Sequence, residues 1–262
     1  MVSGINAAAS GMIAQQYNID VISNNLANVN TTGFKELIPV FKNISDIDIR
    51  EKNKEENGFP GTNNIVGTLS SGSTLDCTML DLQQGTMNKT DNKLDFAING
   101  KGFFAVGTNN GECYTRNGSF ALGDDGTLVT KDGNPVLSES GSAIKIDTTT
   151  GGLDKLNVAG DGTIFLDKQA VDKLKLVEFN SPNDLTTIGN ALYKTSNNNV
   201  KPVASKDSKV DQGFVEGSNS NVIGTMINTI SATRTYETLA KVIKATEATL
   251  SKAVNDVGRV KE

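Results

Sequence analysis

The chain has 262 residues and a formal net charge of −5, with 26 glycines, 5% aromatic residues, no tryptophan and no histidine. Acidic and basic residues are mixed, and without a lysine or arginine cluster nucleic acid is not an expected partner. The lack of histidine excludes Ser-His-Asp and Cys-His catalysis and makes an ordinary zinc site unexpected, but leaves Ser-Lys and carboxylate-pair chemistry open.

The N-terminus has no basic residue before position 35 and no unbroken apolar run, so no cleaved secretory signal is expected. No stretch of the sequence reaches the roughly 20 apolar residues that span a bilayer. We therefore expect no membrane insertion: the chain is soluble, or it leaves the cytoplasm by another route.

A first amphipathic helix is predicted over residues 3–30. Gly33 suits the left-handed turn that ends such a helix. The helix carries apolar residues at alternating steps of three and four, a heptad seam interrupted by one glutamine. The seam consists of Ile5, Ala8, Met12, Gln15, Ile19, Ile22, Leu26 and Val29.

The last turns of this helix read NNLANVN, with four asparagines in seven residues. Asparagine is a mediocre helix former because its amide competes for nearby backbone groups. On the heptad register, Leu26 and Val29 fill the seam, whereas Asn24, Asn25 and Asn28 project from its flanks. We therefore predict that these amides hydrogen-bond a neighbouring subunit.

Residues 36–83 are predicted to form a linker arm. Within them, residues 44–73 carry the charged run REKNKEEN followed by glycine, proline and threonine, which is typical of a solvated loop or an extended arm. Residues 195–212 have the same character and are predicted to be a return linker.

The middle of the chain, residues 84–212, changes to the period of β-strands. Short alternating runs such as LDFAI, GFFAV and TLVTK are separated by dipeptides that tolerate the positive φ angles of tight turns. These dipeptides are Asn99-Gly100, Asn110-Gly111, Asn117-Gly118, Asp125-Gly126, Asp132-Gly133 and Asp161-Gly162. A compact antiparallel β domain is predicted, with a further strand pair around LKLVEF at 174–179.

Several local patterns in this region have competing interpretations. GKGFFA at 100–105 matches a dinucleotide fingerprint, but the following FFAV indicates a strand where the fingerprint requires a helix, so a hairpin is favoured. Asp124-Asp125-Gly126 lacks the alternating oxygen ligands of a calcium loop and favours a β-turn. Turn chemistry also accounts for the sequons that start at Asn88 and Asn117.

Cys77 and Cys113 leave a disulfide open, although two thiols are favoured. No catalytic residue, cofactor or metal is predicted, and the chain is not expected to be an enzyme.

A second amphipathic helix is predicted over residues 219–258, capped by Ser218 or Asn219. Its seam is Val222, Met226, Thr229, Thr233, Tyr236, Ala240, Ile243, Glu247, Leu250, Val254 and Val257, widened by Ile223, Ile227 and Ile230. The two helices could pack on each other within one monomer. Because two helices alone bury little area, packing against other chains is favoured.

The chain is thus predicted to be α+β. Residues 1–35 and 213–262 would supply the two helical halves of a coiled-coil-like inner domain, and the antiparallel all-β domain would lie between them.

Three stretches in this order resemble the bacterial flagellar rod and hook protein family. They are SGMIAQQYNIDVISNNLANVNTTGFK, then QQGTMNKTDNKLDFAINGKGFFAV with YTRNGSF, and finally GFVEGSNSNV followed by TRTYETLAKVIKA. The length of the chain and the order of these stretches are most similar to the distal rod proteins, with a proximal rod or hook-type protein of the same family as the alternative.

The resemblance implies a structural subunit of the distal rod, a helical tube that transmits torque and encloses the export channel. It implies export without a cleaved signal through the flagellar secretion apparatus, and a location in the basal body within the cell envelope. The implied partners are further copies of the chain, other rod proteins, the hook protein and the export apparatus. A secreted binding module or enzyme anchored by rod-like ends is the alternative from another class.

Residues of both terminal helices are predicted to form the assembly interface. They are Ile5, Met12, Ile19, Ile22, Asn24, Asn25, Leu26, Asn28, Val29, Val222, Met226, Ile230, Tyr236, Ile243 and Leu250.

Overall fold

A computed structural model describes residues 2–44, 46–52, 63–70, 72–109, 111–147, 152, 155–179, 181, 184–196, 201–205 and 208–258. Along the chain, helix α1 (Val2–Ala27) precedes and helix α2 (Val222–Gly258) follows a series of β-strands, which confirms the predicted α+β class. Coiled-coil pairing of the helices remains a prediction.

The chain divides into two compact units. The terminal unit comprises Met1–Asn24, Ile38–Thr78 and Ile223–Glu262, and the central unit comprises Asn25–Leu37 and Met79–Val222.

Helix α1 ends three residues earlier than predicted. After Ala27 the backbone tightens, with Asn28 N donating to Asn25 O at 3.2 Å and Val29 N donating to Leu26 O at 3.4 Å. Gly33 has a left-handed φ of 70°, but it lies beyond this turn. The prediction that Gly33 ends the helix is therefore wrong.

Helix α2 begins at Val222, later than the predicted 219. The Ser218 hydroxyl accepts from Ser220 N at 3.2 Å, and the Asn219 side-chain oxygen accepts from Glu36 N at 2.8 Å. Neither side chain reaches the first turn of the helix by these bonds, so both predicted caps are wrong.

The predicted linker arm contains paired strands. Strand β1 (Leu37–Asn43) pairs with β4 (Ser73–Leu80), and β2 (Asp46–Lys52) pairs antiparallel with β3 (Asn63–Ser70). The described part of 44–73 is therefore a β-ladder and not a solvated loop. Residues 53–62, which hold part of the charged run, lie outside the described residues.

The central unit consists of short antiparallel strands, as predicted. They are β5 (Met87–Lys89), β6 (Phe96–Asn99), β7 (Phe103–Thr108), β8 (Gly111–Thr115), β9 (Phe120–Leu122), β10 (Leu128–Thr130), β11 (Leu156–Val158), β12 (Thr163–Leu166), β13 (Gln169–Lys173), β14 (Leu176–Glu178), β15 (Leu185–Gly189), β16 (Leu192–Thr195), β17 (Val203–Ala204), β18 (Lys209–Gln212) and β19 (Phe214–Glu216). The largest sheet has the order β15-β16-β8-β7-β14-β17. Strand β18 pairs with β6, so the end of the predicted return linker is part of a sheet.

The predicted turn glycines mostly have the expected backbone. Gly100, Gly111, Gly126, Gly133 and Gly162 all have φ between 75° and 124°, in the region that favours glycine. The β-turn prediction at 124–126 is confirmed, because Gly126 N donates to Gly123 O at 3.0 Å.

The GKGFFA stretch links two different sheets. A strand follows it, as predicted, but β6 pairs with β18 whereas β7 pairs with β8 and β14. The prediction of a hairpin at this point is therefore wrong. Cys77 is exposed, Cys113 is buried, and the two are not joined.

Two apolar clusters fill the central unit. Because successive strand residues point to opposite faces, neighbouring Phe103 and Phe104 enter different clusters. Phe104 packs edge-on against Phe120 at 5.2 Å between ring centroids, and Phe103 packs against Tyr193 at 5.8 Å. The second cluster lies beside the ion cluster described next.

Candidate assembly surfaces and a buried ion cluster

Three charged side chains from distant parts of the sequence meet inside the central unit. Lys35 Nζ donates to Glu216 Oε1 at 2.6 Å, and Arg116 Nη1 donates to Glu216 Oε2 at 3.0 Å. All three side chains are at most 1% exposed. Each carboxylate oxygen of Glu216 therefore has its own cation.

Backbone groups form further hydrogen bonds with the three charged side chains of this ion cluster. Lys35 Nζ also donates to Gln83 O at 2.6 Å, and Arg116 Nη2 donates to Gly100 O at 2.7 Å. Gly85 N donates to Glu216 Oε1 at 2.9 Å. Buried charges require such partners, because desolvation is otherwise costly.

Arg116 Nη1 also donates to Ile98 O at 3.5 Å, and its guanidinium contacts an aromatic ring, but one of its atoms is unsatisfied. Its guanidinium carbon lies 4.9 Å from the centre of the Phe103 ring, a distance at which the ring face attracts a cation. Its Nε has no hydrogen-bond partner in the part of the chain that the structure describes.

Burial dominates the ionisation of this site. It lowers the pKa of Lys35, and the neighbouring Glu216 carboxylate opposes that shift. Burial also lowers the pKa of Arg116, again opposed by Glu216. The pKa of the Tyr193 phenol is raised by burial, and its oxygen accepts from Lys35 N at 3.1 Å.

Gly33 permits a close backbone approach beside the cluster. Its N donates to Glu216 O at 2.7 Å, and a Cβ at this position would lie 2.2 Å from Asn117 N. Thr32 Oγ1 donates to Asn117 Oδ1 at 2.9 Å. The segment that follows α1 is thus fixed to both the central motif and the C-terminal motif.

Two asparagines bind backbone groups close to this segment. The Asn25 amide is 2% exposed; its Nδ2 donates to Leu37 O at 2.8 Å, and its Oδ1 accepts from Leu37 N at 2.9 Å. The prediction that this amide projects outward is therefore wrong, because the chain turns back after Ala27 and presents Leu37 to it. The Asn219 amide accepts from Glu36 N at 2.8 Å and donates to Asp81 O at 3.0 Å.

The other predicted interface residues of α1 differ in exposure. Ile22 is buried and Asn24 is exposed, whereas the rest are half-buried: Ile5, Met12, Ile19, Leu26, Asn28 and Val29. Two apolar residues outside the predicted seam, Ile13 and Tyr17, are 58% and 47% exposed. They define an outer face of α1 that the heptad register did not include.

The partly buried face of α2 differs from the predicted seam, because at every second position of the seam a buried or half-buried residue lies one place earlier in the sequence. It comprises Gly224, Thr225, Thr229, Ala232, Tyr236, Leu239, Ala240, Ile243 and Thr246. This face shares Thr229, Tyr236, Ala240 and Ile243 with the predicted seam, but not Met226, which is 49% exposed. Val222, Ile230 and Leu250 are also exposed at 38%, 56% and 40%. A role in assembly remains a prediction for all of these residues.

Sequence reasoning missed the ion cluster. Lys35, Arg116 and Glu216 each lie within two residues of an aromatic residue and of a glycine, in GFK, YTRNGSF and GFVEG. A charged residue in such a setting was the available signal. Spacing along the chain gives no indication that they meet.

The described residues include no group of three or more His, Cys, Asp or Glu side chains placed to hold a metal ion. Neither of the described helices combines the length and the apolar character needed to cross a membrane.

Three family models match the chain in separate segments. The flagella basal body rod protein model matches residues 5–35, the flagellar hook protein FlgE/F/G D1 domain model matches 97–166, and the flagellar basal body rod FlgEFG protein C-terminal model matches 211–256. Lys35, Arg116 and Glu216 each fall within a different one of these segments.

Relatives match over almost the whole chain. The flagellar basal-body rod protein FlgF of Caulobacter vibrioides is 33% identical over 265 residues, covering 99% of this chain and 100% of the relative. FlgG of Buchnera aphidicola subsp. Acyrthosiphon pisum is 34% identical, covering 96% and 98%. FlgG of Bacillus subtilis is 32% identical, covering 97% and 99%.

Proposed function

Because the chain belongs to the flagellar hook and basal-body rod protein family, we propose that it is a structural subunit of the rod in the bacterial flagellar basal body. The observation that carries this proposal is the full-length similarity to rod proteins, together with family matches at both helical ends and in the centre. The family is a structural one and not an enzyme family. We infer that this chain likewise has no catalytic role.

We propose the distal segment of the rod as its position, with the proximal segment as the second candidate. The order of the motifs and the length of the chain, which are most similar to those of distal rod proteins, support the distal position. The relatives named FlgF and FlgG match with nearly equal identity, 33% and 34%, so the comparisons favour neither position. A helical reconstruction of purified basal bodies, with this chain placed by its side-chain density, distinguishes the two.

The proposed assembly is a helical tube that transmits torque and encloses the export channel. Exposed apolar residues on α2 support it: Ile223 is 71% exposed and Ile227 is 61% exposed. Exposed aliphatic faces of this kind gain free energy when a neighbouring chain covers them. A contact that joins two different patches repeats from subunit to subunit and builds an open helical array.

The partners that we propose are further copies of the chain, other rod proteins, the hook protein and the flagellar export apparatus. We also propose that the chain is exported without cleavage of a signal peptide. Sequencing the N-terminus of the subunit isolated from basal bodies tests this point, because a cleaved leader would remove the first residues of α1.

Deletion of the gene in its own bacterium tests the structural role. We expect basal bodies without a complete rod and without hooks, with both restored by the wild-type gene, as scored by electron microscopy of isolated basal bodies. Deletion cells with normal numbers of hooks would contradict the proposal.

A surface variant then tests the role of α2. We expect Met226→Asp combined with Ile230→Asp to remove hooks, because two charges would be buried without partners. Ile188→Asp is the matched control, since Ile188 is 49% exposed on strand β15 of the central unit. Secreted protein levels, measured in parallel, separate an assembly defect from an export defect.

A further inference from the structure

Helix α1 presents a narrow outer face with a single charge. Ile13 and Tyr17 are 58% and 47% exposed, and Asp20 is also exposed. These residues follow at steps of four and three and so share one side of the helix. Asp20 is the only charged residue in Val2–Ala27, and Gln16 Nε2 donates to its Oδ1 at 3.1 Å.

Helix α2 carries a surface groove with a single charge of opposite sign. The groove is lined by Ile227, Ile230, Ser231, Arg234, Thr235, Thr238 and Leu239. Ile227 and Ile230 are 61% and 56% exposed, and Val242, 45% exposed, extends this face beyond the groove. Neither Arg234 nor Asp20 has an ion-pair partner among the described residues.

The two helices run antiparallel within one chain. Asn25, near the end of α1, bonds to Leu37, and the adjacent Glu36 bonds to Asn219, just before the start of α2. About four helical turns before Asn25, a Cβ placed at Gly11 would lie 3.3 Å from Leu239 Cδ1. Leu239 in turn lies about five turns after the start of α2, so the helices approach each other again far from their common anchor.

The outer face of α1 is not the face used in that intrachain contact. Gly11 approaches α2 within the chain, whereas Ile13, Tyr17 and Asp20 remain exposed. Copies assembled with a common polarity would bring the α1 of one copy antiparallel to the α2 of another. The outer face of α1 is thus available to the α2 of a second copy, in the same antiparallel orientation that α1 and α2 have within one chain.

We propose that the outer face of α1 packs antiparallel into the α2 groove of a second copy, with Asp20 opposite Arg234. This register places Tyr17 near Thr238 and Ile13 near Val242. Each step of three or four residues moves about one turn along either helix, and the two helices run in opposite directions. The single acid of α1 and the single base of the groove fix the register, since any other alignment leaves one of the two charges buried without a partner. This inference rests on the proposed function and names the contact through which the subunit would assemble.

Charge exchange in the full-length chain tests the proposed pair. Asp20→Arg and Arg234→Asp should each reduce the number of hook-bearing basal bodies about tenfold or more, because each places like charges opposite one another. The double variant Asp20→Arg/Arg234→Asp should restore most of the wild-type number. Single variants with wild-type hook numbers, or a double variant no better than the singles, would overturn the proposal.

Two controls separate this outcome from other failures. Both side chains are exposed, so thermal unfolding of each purified single variant should match wild type. Gene deletion in the same strain background tests the proposed function independently. If deletion abolishes hooks while both single variants assemble normally, the rod role stands and the proposed register is wrong.

Disulfide cross-linking identifies the occupant of the groove. Two differently tagged copies carry Asp20→Cys and Arg234→Cys, both with the exposed Cys77 replaced by alanine. Oxidation of isolated basal bodies should give a mixed-tag dimer. Lys244→Cys in place of Arg234→Cys should give none, since it lies about 15 Å farther along α2. A cross-link to a protein of different mass, without the mixed-tag dimer, would overturn the assignment to a second copy.

Discussion

Glu216 is the shared counter-ion of two buried cations, Lys35 and Arg116. The Glu216 carboxylate oxygens lie 2.6 Å from Lys35 Nζ and 3.0 Å from Arg116 Nη1. Replacing Glu216 with glutamine leaves both cations buried beside a neutral amide. Breaking a buried ion pair from one side typically costs about 3–5 kcal/mol. We therefore expect Glu216→Gln to lower the free energy of unfolding by about that amount, as measured by urea titration.

The matched control for that variant is Glu139→Gln. Glu139 pairs with Lys173 at 3.3 Å, but the two side chains are 64% and 42% exposed, so solvent screens the pair. We expect the free energy of unfolding to change by less than about 1 kcal/mol. Equal effects of the two glutamine substitutions would show that burial does not determine the importance of the cluster.

Tyr193 gives the central unit a defined response to alkaline pH. Burial raises the pKa of its phenol in the folded state, whereas an unfolded tyrosine ionises near pH 10. Above about pH 10, only the unfolded state therefore loses this proton, and the free energy of unfolding falls by about 1.4 kcal/mol per pH unit. Below that pH the effect is absent.

The variant Tyr193→Phe isolates this contribution. Between about pH 10 and 11.5, the unfolding free energy of the variant should fall less steeply than that of wild type. The difference between the two slopes should be about 1.4 kcal/mol per pH unit. Tyr114, whose pKa is also raised by burial, is present in both proteins, so the difference in slope reports Tyr193 alone. Parallel curves would contradict the prediction.

Asn25 illustrates how local sequence misleads at a single residue. Its amide joins both backbone groups of Leu37, at 2.8 and 2.9 Å, a contact that no helical register predicts. We expect Asn25→Ala to lower the free energy of unfolding by about 1–3 kcal/mol, because it leaves these groups without their partner. Asn30→Ala, at an exposed position in the following turn, should change it by less than about 0.5 kcal/mol.

At the level of elements, the segment after α1 depends on the small size of Gly33. Alanine there would combine a φ of 70° with a Cβ 2.2 Å from Asn117 N. Gly133 separates these two effects, since its φ is 82° but no atom lies within 4 Å of its hypothetical Cβ. We expect a loss of about 1–2 kcal/mol for Gly133→Ala and more than about 4 kcal/mol for Gly33→Ala, measured by urea unfolding.

The elements that periodicity predicted well are those with strong local signals. The helix pattern located α1 and α2 to within three residues at each end, and the Asn-Gly and Asp-Gly dipeptides marked turns between strands. Strand pairing was not predictable, because β6 pairs with β18 from the far end of the unit. The charges of residues 44–73 predict a solvated loop or an extended arm and give no sign of strand pairing, although charged side chains are compatible with the exposed faces of paired strands.

For the whole molecule, the order of motifs indicated the family, but not how the motifs meet in space. Lys35, Arg116 and Glu216 are separated by 81 and 100 residues and converge only through the folded sheets. A resemblance carried by linear motifs cannot place such a contact. The cluster also gives a physical reason for the three motifs to occur together, since each supplies one ion to the same buried site.

Two N-terminal truncations test where the independently folding part begins. The division into units falls between Asn24 and Asn25, whereas sequence analysis placed the boundary after Lys35. Removal of residues 1–24 keeps Asn25, Gly33 and Lys35 in place, so the central unit should remain folded while assembly is lost. Removal of residues 1–35 also deletes the Lys35 ammonium and the Gly33 bond to Glu216, and should lower the free energy of unfolding by a further 3–5 kcal/mol or so.

Tyrosine fluorescence can follow both truncated proteins, because the chain lacks tryptophan and Tyr114 and Tyr193 are buried in the central unit. If the two truncations were equally stable, the cluster would be dispensable and the boundary would lie at residue 35. If only the longer protein folds, the last residues of the N-terminal motif belong to the central unit. That motif would then have two separable tasks: its helix would serve assembly, and its final residues would complete the buried charge network.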